Sequence, residues 1–153
     1  MKLKPMDGSR YEAWMQYSIR EYANANIESG RWDAADAVDK AKCAHLEQLP
    51  DGLDTTDHYV FELFNDEKYL GYLWVFVDTS AAVPSAFIYD IEIITGERGK
   101  GLGKLAMLAL ENWCKNRGIQ RLGLNVFAFN EQAIKLYQGL GFRATNYQMQ
   151  KDL

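Results

Sequence analysis

An apolar run, Phe87 to Ile94, leads into the turn Arg98-Gly99-Lys100-Gly101-Leu102-Gly103-Lys104, which opens the most periodic helix of the chain, Leu102 to Arg117. Strand, glycine turn and helix in that order narrow the choice of architecture more than any other stretch. Glycines let the backbone adopt left-handed angles and approach a ligand closely. The helix start adds N–H groups without intrahelical acceptors and the positive end of the helix dipole. Such a turn cradles an anion through main-chain donors, so it predicts a phosphate-bearing ligand.

The rest of the chain bounds what that ligand serves. With 153 residues, 48% apolar and 25% charged, it has enough apolar side chains for one globular domain over residues 1–153. A net charge of −4 argues against a nucleic-acid binder and suits cationic partners such as amines. No apolar stretch approaches the roughly 20 residues a membrane helix needs, and the start shows no signal-type apolar segment, which predicts a cytoplasmic protein. Cys43 and Cys114 lie far apart without metal-type spacing and read as buried or half-buried thiols in a reducing compartment. His45 and His58 have no metal-pair spacing either and read as incidental, so no metal site is expected.

Periodicity places the other elements. Lys2 to Met6 reads as a strand, and Asp7 as the cap of a helix reaching about Glu28. A second helix starts near Asp33, with Ala37, Ala41, Ala44 and Leu49 for its packed side, and Pro50-Asp51-Gly52 stops it. His58 to Phe64 and Tyr69 to Val77 form a hairpin around Asn65 to Lys68. After the glycine turn, Leu102, Leu105, Ala106, Ala109, Leu110 and Trp113 line one helix face. Leu122, Leu124 and Val126 mark a strand parallel to Phe87–Ile94, joined by a right-handed crossover. Asn130 caps a short helix ending at Gly141, and Phe142 to Met149 is predicted as a last strand.

Three phosphate sites compete for the glycine turn. A P-loop needs a hydroxyl after Gly-Lys to hold magnesium, but Leu105 follows Lys104. A dinucleotide fingerprint needs G-x-G-x-x-G early in a βαβ unit, and here Lys104 stands in the place of the third glycine. The third reading fits. Arg98-x-x-Gly101-x-Gly103 follows the strand Ile91-Glu92-Ile93 and precedes Asn130-x-x-Ala133-x-x-Leu136-Tyr137-x-x-Leu140-Gly141-Phe142. With these blocks the sequence resembles the GNAT superfamily of acyl-CoA N-acyltransferases, most clearly over residues 70–153.

The resemblance implies an α/β fold: a mixed, mostly antiparallel twisted sheet with a splayed parallel central pair and helices on both faces. It implies acetyl-CoA as acyl donor, with main-chain groups of Ile91, Glu92 and Ile93 meeting the pantetheine arm and one N–H polarising the thioester carbonyl. Arg98, Gly99, Lys100, Gly101, Leu102, Gly103 and Lys104 would wrap the pyrophosphate, with Arg98 and Lys104 adding charge-assisted contacts. Asn130 would reach the cofactor arm, beside its plain role as a helix cap. Tyr137 would protonate the leaving thiolate, against the alternative of a core aromatic.

For the base the residues themselves speak. Asp90 and Glu92 alternate onto one face of a central strand, opposite Tyr89, Ile91 and Ile93. Carboxylates there are costly unless paired, which makes Asp90 the first candidate for amine binding or proton relay and Glu92 the second. The alternative is an ordinary ion pair across the sheet. Where some family members carry a glutamate in the following strand, this chain has Asn125, which cannot be a base. Trp74, Tyr72 and Tyr89, or Trp14, Tyr17 and Tyr22, are candidates for an acceptor pocket or plain core.

The predicted function is an N-acetyltransferase acting by direct attack of a neutral primary amine, on a small-molecule or peptide acceptor, as a monomer or homodimer. Neither cysteine lies in a nucleophile motif. The competing class is an inactive acyl-CoA-binding sensor, distinguished by tight binding without turnover on any amine. An NAD- or ATP-dependent enzyme is the distant third, distinguished by stabilisation with those nucleotides and not with CoA.

Overall fold

Five strands and four helices of a computed structural model, which describes residues 1–153, arrange the predicted elements around one sheet. In chain order they are β1 (Lys2–Pro5), α1 (Gly8–Glu28), α2 (Ala37–Gln48), β2 (His58–Asn65), β3 (Lys68–Asp78), β4 (Ser85–Ile93), α3 (Leu102–Lys115), β5 (Arg121–Leu124) and α4 (Glu131–Gly139). Strand order follows the sequence, β1-β2-β3-β4-β5. The first three pairings are antiparallel and β4-β5 is parallel.

Local chemistry accounts for the element ends. The Asp7 side chain accepts from the Ser9 N–H at 2.8 Å and caps α1. Asn130 does the same for α4, accepting from Ala133 N–H at 3.2 Å. Gly101 enters α3 at φ +75°, a conformation that favours glycine. The second helix begins at Ala37, later than the sequence suggests; its packed side is Ala37, Ala41 and His45, with Leu49 just beyond.

The sheet is buried on both faces. Phe61, Leu63, Leu73, Val75 and Ile88 pack against Ala106, Met107 and Leu110 of α3. On the other face Val60, Tyr72 and Trp74 meet Trp14, Met15 and Ile19 of α1 and Ala37 and Ala41 of α2. Tyr137, Leu140 and Phe142 join the α3 side, so α4 covers the same face as α3.

Two departures matter for the site. The strand expected over Phe142–Met149 does not form: residues 143–153 are exposed and join no ladder, which leaves β5 at the sheet edge. Tyr147 and Met149 bury almost nothing, so no apolar gain holds that stretch to the sheet. The second is a bulge in β4. Trp74 opposes Asp90 while Val75 opposes Ile88, so Tyr89 is an extra residue without a partner. It therefore shares the α1–α2 face with Asp90 instead of opposing it, and stacks on Trp74 at 4.8 Å between ring centroids.

Candidate active site

Where β4 and β5 part, the sheet opens. Their pairing ends at Ile88 and Leu124, while β4 continues to Ile93. Ile94 N–H donates to Leu70 O at 2.9 Å, and antiparallel alternation turns the main chain of Glu92 the same way, toward Tyr72 of β3. Ile91 and Ile93 turn theirs toward the opening. Of the three strand residues expected to offer main-chain groups, Glu92 thus directs its own into the sheet. The Ile93 carbonyl already accepts from Arg98 Nε at 2.8 Å.

The turn that follows is a run of free donors. The N–H groups of Gly99, Lys100, Gly101, Leu102, Gly103 and Lys104 find no acceptor in the protein; the first helical bond across the turn is Leu105 N–H to Gly101 O. Gly99 and Gly101 sit at φ +77° and +75° with open space where a side chain would stand. Gly103 has another reason to be glycine: a Cβ there would come 3.2 Å from Leu136 Cδ2, so it lets α4 pack on the start of α3. These unpaired donors on a helix start suit an anionic diphosphate, the group that acyl-CoA carries.

The charged side chains of the turn are arranged differently from expectation. Arg98 folds back, with Nη2 2.8 Å from Glu92 Oε1. Lys100 Nζ reaches Gly96 O at 3.2 Å and Glu97 Oε2 at 3.1 Å. Both find acceptors within the protein because Glu92 and Glu97 flank the turn, and Lys104 is left exposed without an ion pair.

Tyr137 of α4 is half-buried against the α3-side core, tilted against Phe142 at 5.7 Å. Burial, and next the charge of Asp90, hold its hydroxyl above the usual tyrosine range. Asn130 is seen in its capping role. Asn125 is exposed just past β5. Cys114 is buried and its thiol pushed up to about 11 by that burial, which removes it as a nucleophile; Cys43 is exposed, not half-buried as expected, and both are free.

On the α1 side the two acids anchor one hydrogen-bonded chain. The Tyr72 hydroxyl donates to Asp90 Oδ2 at 2.9 Å and lies 3.3 Å from Glu92 Oε2. Tyr17 donates to Glu92 Oε1 at 2.6 Å, and Ser18 Oγ stands 3.0 Å from Asp90 Oδ2. Burial raises Asp90 to about 6, against the lowering effect of its Tyr72 and Ser18 hydrogen bonds; the Glu92 charge adds to the rise. His45 contacts Ser18, a position the sequence reading passed over because its spacing showed no partner. A neighbour 27 residues away leaves no sequence signal.

Beside this chain lies a cleft of about 530 Å³, walled by α1 and the ends of β2, β3 and β4. Trp14, Tyr17, Tyr69 and Tyr72 supply aromatic surface, with Glu62 and Glu92 among the acids. Trp74 and Tyr89 are not part of it. Glu62 is 5% exposed, and its Oε1 lies 3.0 Å from Arg10 Nη1 without an aligned hydrogen bond. Sequence alternation places Glu62 on the strand face shared with Val60 and gives no sign of its burial.

Residues 13–142 match the model of the acetyltransferase (GNAT) family. The chain belongs to that family. The uncharacterized N-acetyltransferases YdgE and YycN of Bacillus subtilis (strain 168) are 37% and 35% identical to it, each over 99% of this chain and 97% of the relative. The crystal structure of YycN superposes with a TM-score of 0.96, covering 99% of this chain and 98% of that one. AAC(6')-Iy, solved in complex with the bisubstrate analog CoA-S-monomethyl-acetylneamine, shares the fold at a TM-score of 0.63 and 18% identity, over 99% and 97% of the two chains. This GNAT chain is thus an acyltransferase of the N-acetyltransferase type, with the mixed sheet of its family. No helix in it is long and apolar enough to cross a membrane.

Proposed function

We propose that this chain, acting as one domain in the cytoplasm, transfers the acetyl group of acetyl-CoA to a primary amine on a cationic acceptor by direct attack. The observation that carries this is the parting of β4 and β5 after Ile88 and Leu124, with the main chain of Ile91 and Ile93 open beyond it and Asp90 near enough for its charge to act on Tyr137. The six free N–H groups from Gly99 to Lys104, with Lys104, fit the diphosphate. Acetyl-CoA, when bound, supplies a thioester carbonyl carbon open to an amine.

The protein's own groups then divide the work. An ammonium cannot attack, so Asp90, ionised above about pH 6, takes its proton. An N–H of Ile91 or Ile93 donates to the carbonyl oxygen as charge develops there. Tyr137 keeps its proton at neutral pH and gives it to the departing sulfur. Glu92 and Glu62 hold positive charge in the cleft, and Tyr17, Tyr69, Tyr72 and Trp14 provide faces on which a cation sits favourably. A small cationic amine suits this cleft. The two free thiols are in keeping with a reducing compartment.

Calorimetry with CoA and acetyl-CoA, followed by thiol release across amines of graded charge, tests the reading. Binding of CoA and faster turnover of dicationic than of neutral-tailed amines is expected, with Glu62→Gln raising KM for the former. Absence of CoA binding, or of turnover on every amine, overturns it.

A further inference from the structure

The buried contacts of Ser18 and His45 have no part in the steps above. Ser18 is 1% exposed and His45 5% exposed. Ser18 Oγ lies 2.9 Å from His45 Nε2 and 3.0 Å from Asp90 Oδ2, and His45 Nδ1 lies 2.9 Å from Ala41 O. A carbonyl only accepts, so Nδ1 carries a hydrogen. The Ser18 hydroxyl has one hydrogen for two neighbours. Before a proton arrives, Asp90 is ionised and His45 neutral, and the Ser18 hydrogen serves one neighbour at a time; once one proton is taken up, only two arrangements satisfy every contact. In one, Asp90 is ionised, Ser18 donates to it, and His45 is an imidazolium donating from Nε2. In the other, Asp90 is protonated and donates to Ser18, which donates to a neutral His45.

We propose that Ser18 and His45 form a proton wire behind Asp90, which moves the proton taken from the amine to His45 and returns Asp90 to its ionised form within a turnover. The two arrangements interconvert by a double shift: Asp90 gives its proton to Ser18 Oγ as Ser18 passes its own to His45 Nε2. The need follows from the balance of atoms. An ammonium nitrogen loses two hydrogens on becoming an amide N–H; one ends on the sulfur through Tyr137 and the other in solvent. That second hydrogen is the proton Asp90 takes, and His45 holds it during the chemical steps. The reverse shift returns it to Asp90, which releases it to solvent after product has left.

This is not the geometry of a nucleophilic serine triad, in which the acid would touch the histidine and not the serine. The pair is enclosed by Tyr72 of β3 on Asp90 Oδ2, Tyr22 of α1 and Trp74 of β3 against the imidazole, and Tyr137 of α4 within the field of Asp90. The nearest charge is Glu92 with Arg98 upon it. Burial lowers His45 and raises Asp90, which brings their proton affinities together.

The inference rests on Asp90 as the base, and its test separates the two. Nitrogen-15 spectra of histidine-labelled protein, titrated from pH 8 down to 5, should show His45 Nε2 gaining a proton in the wild type and staying unprotonated in Asp90→Asn. His45→Gln keeps a group that accepts from Ser18 but holds no proton. It should lower kcat at pH 7 at least 10-fold and move the acid limb of the rate profile, with CoA affinity and amine KM within twofold of wild type. Ser18→Ala should match that loss and Ser18→Thr restore the rate. A His45→Gln enzyme with wild-type kcat and acid limb overturns the wire while leaving Asp90 as base. A His45 Nε2 state indifferent to Asp90→Asn overturns it as well, whether or not the variants at position 45 fold.

Discussion

Arg98 Nη2 stands 2.8 Å from Glu92 Oε1, so the first residue of the glycine turn grips a carboxylate that lines the aromatic cleft beside α1. The turn and the cleft share a side chain. With Arg98 engaged there and Lys100 held by Glu97, Lys104 is the cation left for phosphate. Lys104→Ala should weaken CoA binding about 5- to 20-fold, about 1–2 kcal/mol, without moving the amine KM. Arg98→Gln should change the amine KM too, because Glu92 loses its counter-charge. Calorimetry paired with steady-state kinetics reads both.

Tyr137 is held above the ordinary tyrosine range, first by burial and then by Asp90, so its hydroxyl remains an acid through neutral and mildly alkaline pH. Tyr137→Phe should lower kcat about 10- to 100-fold, a modest general-acid effect since a thiolate leaves readily, with CoA affinity unchanged. Single-turnover rates with a good amine measure it.

Asp90 contributes to stability with the opposite sign to most carboxylates. Its folded value, about 6, is above the 3.8 of an ordinary aspartate. Between those values the folded protein holds a proton that the unfolded chain has released, so stability falls as pH rises through this window. The full cost, about 3 kcal/mol for two units, is present above pH 6 and gone below about 4. Asp90→Asn should therefore raise stability at pH 7.5 by about 1–3 kcal/mol, change little at pH 4, and cut kcat about 100-fold or more. Thermal melts at the two pH values and turnover at pH 7.5 test all three.

Gly71 of β3 lies against the main chain of Glu92: a Cβ there would stand 1.9 Å from Glu92 O, at φ +150°. Gly71→Ala must push β3 from β4 at the cleft beside α1. A loss of about 2–4 kcal/mol in chemical denaturation, with a raised amine KM, is expected.

Local features carried much of this into the sequence. Asp7 and Asn130 are caps by residue type, and Gly99 and Gly101 stand where the chain needs left-handed angles. The hairpin around Asp66-Glu67 and the α3 stripe follow from periods of two and near four. The failed strand at Phe142–Met149 shows the limit of that reasoning, since alternation without burial does not hold a strand to a sheet. Likewise Tyr89 reads as opposite to Asp90 until a bulge, invisible in alternation, adds one residue.

The sequence by itself determined the strand–turn–helix cradle, the caps and the candidate acids, because those depend on neighbours a few residues apart. Only the tertiary structure decided what the acids touch. Tyr17 meets Glu92 across 75 positions and Ser18 meets Asp90 across 72, contacts set by packing α1 on the sheet. Whether a carboxylate is an ion-pair partner, a base or one end of a wire depends on that packing, since burial and distant donors fix its proton affinity.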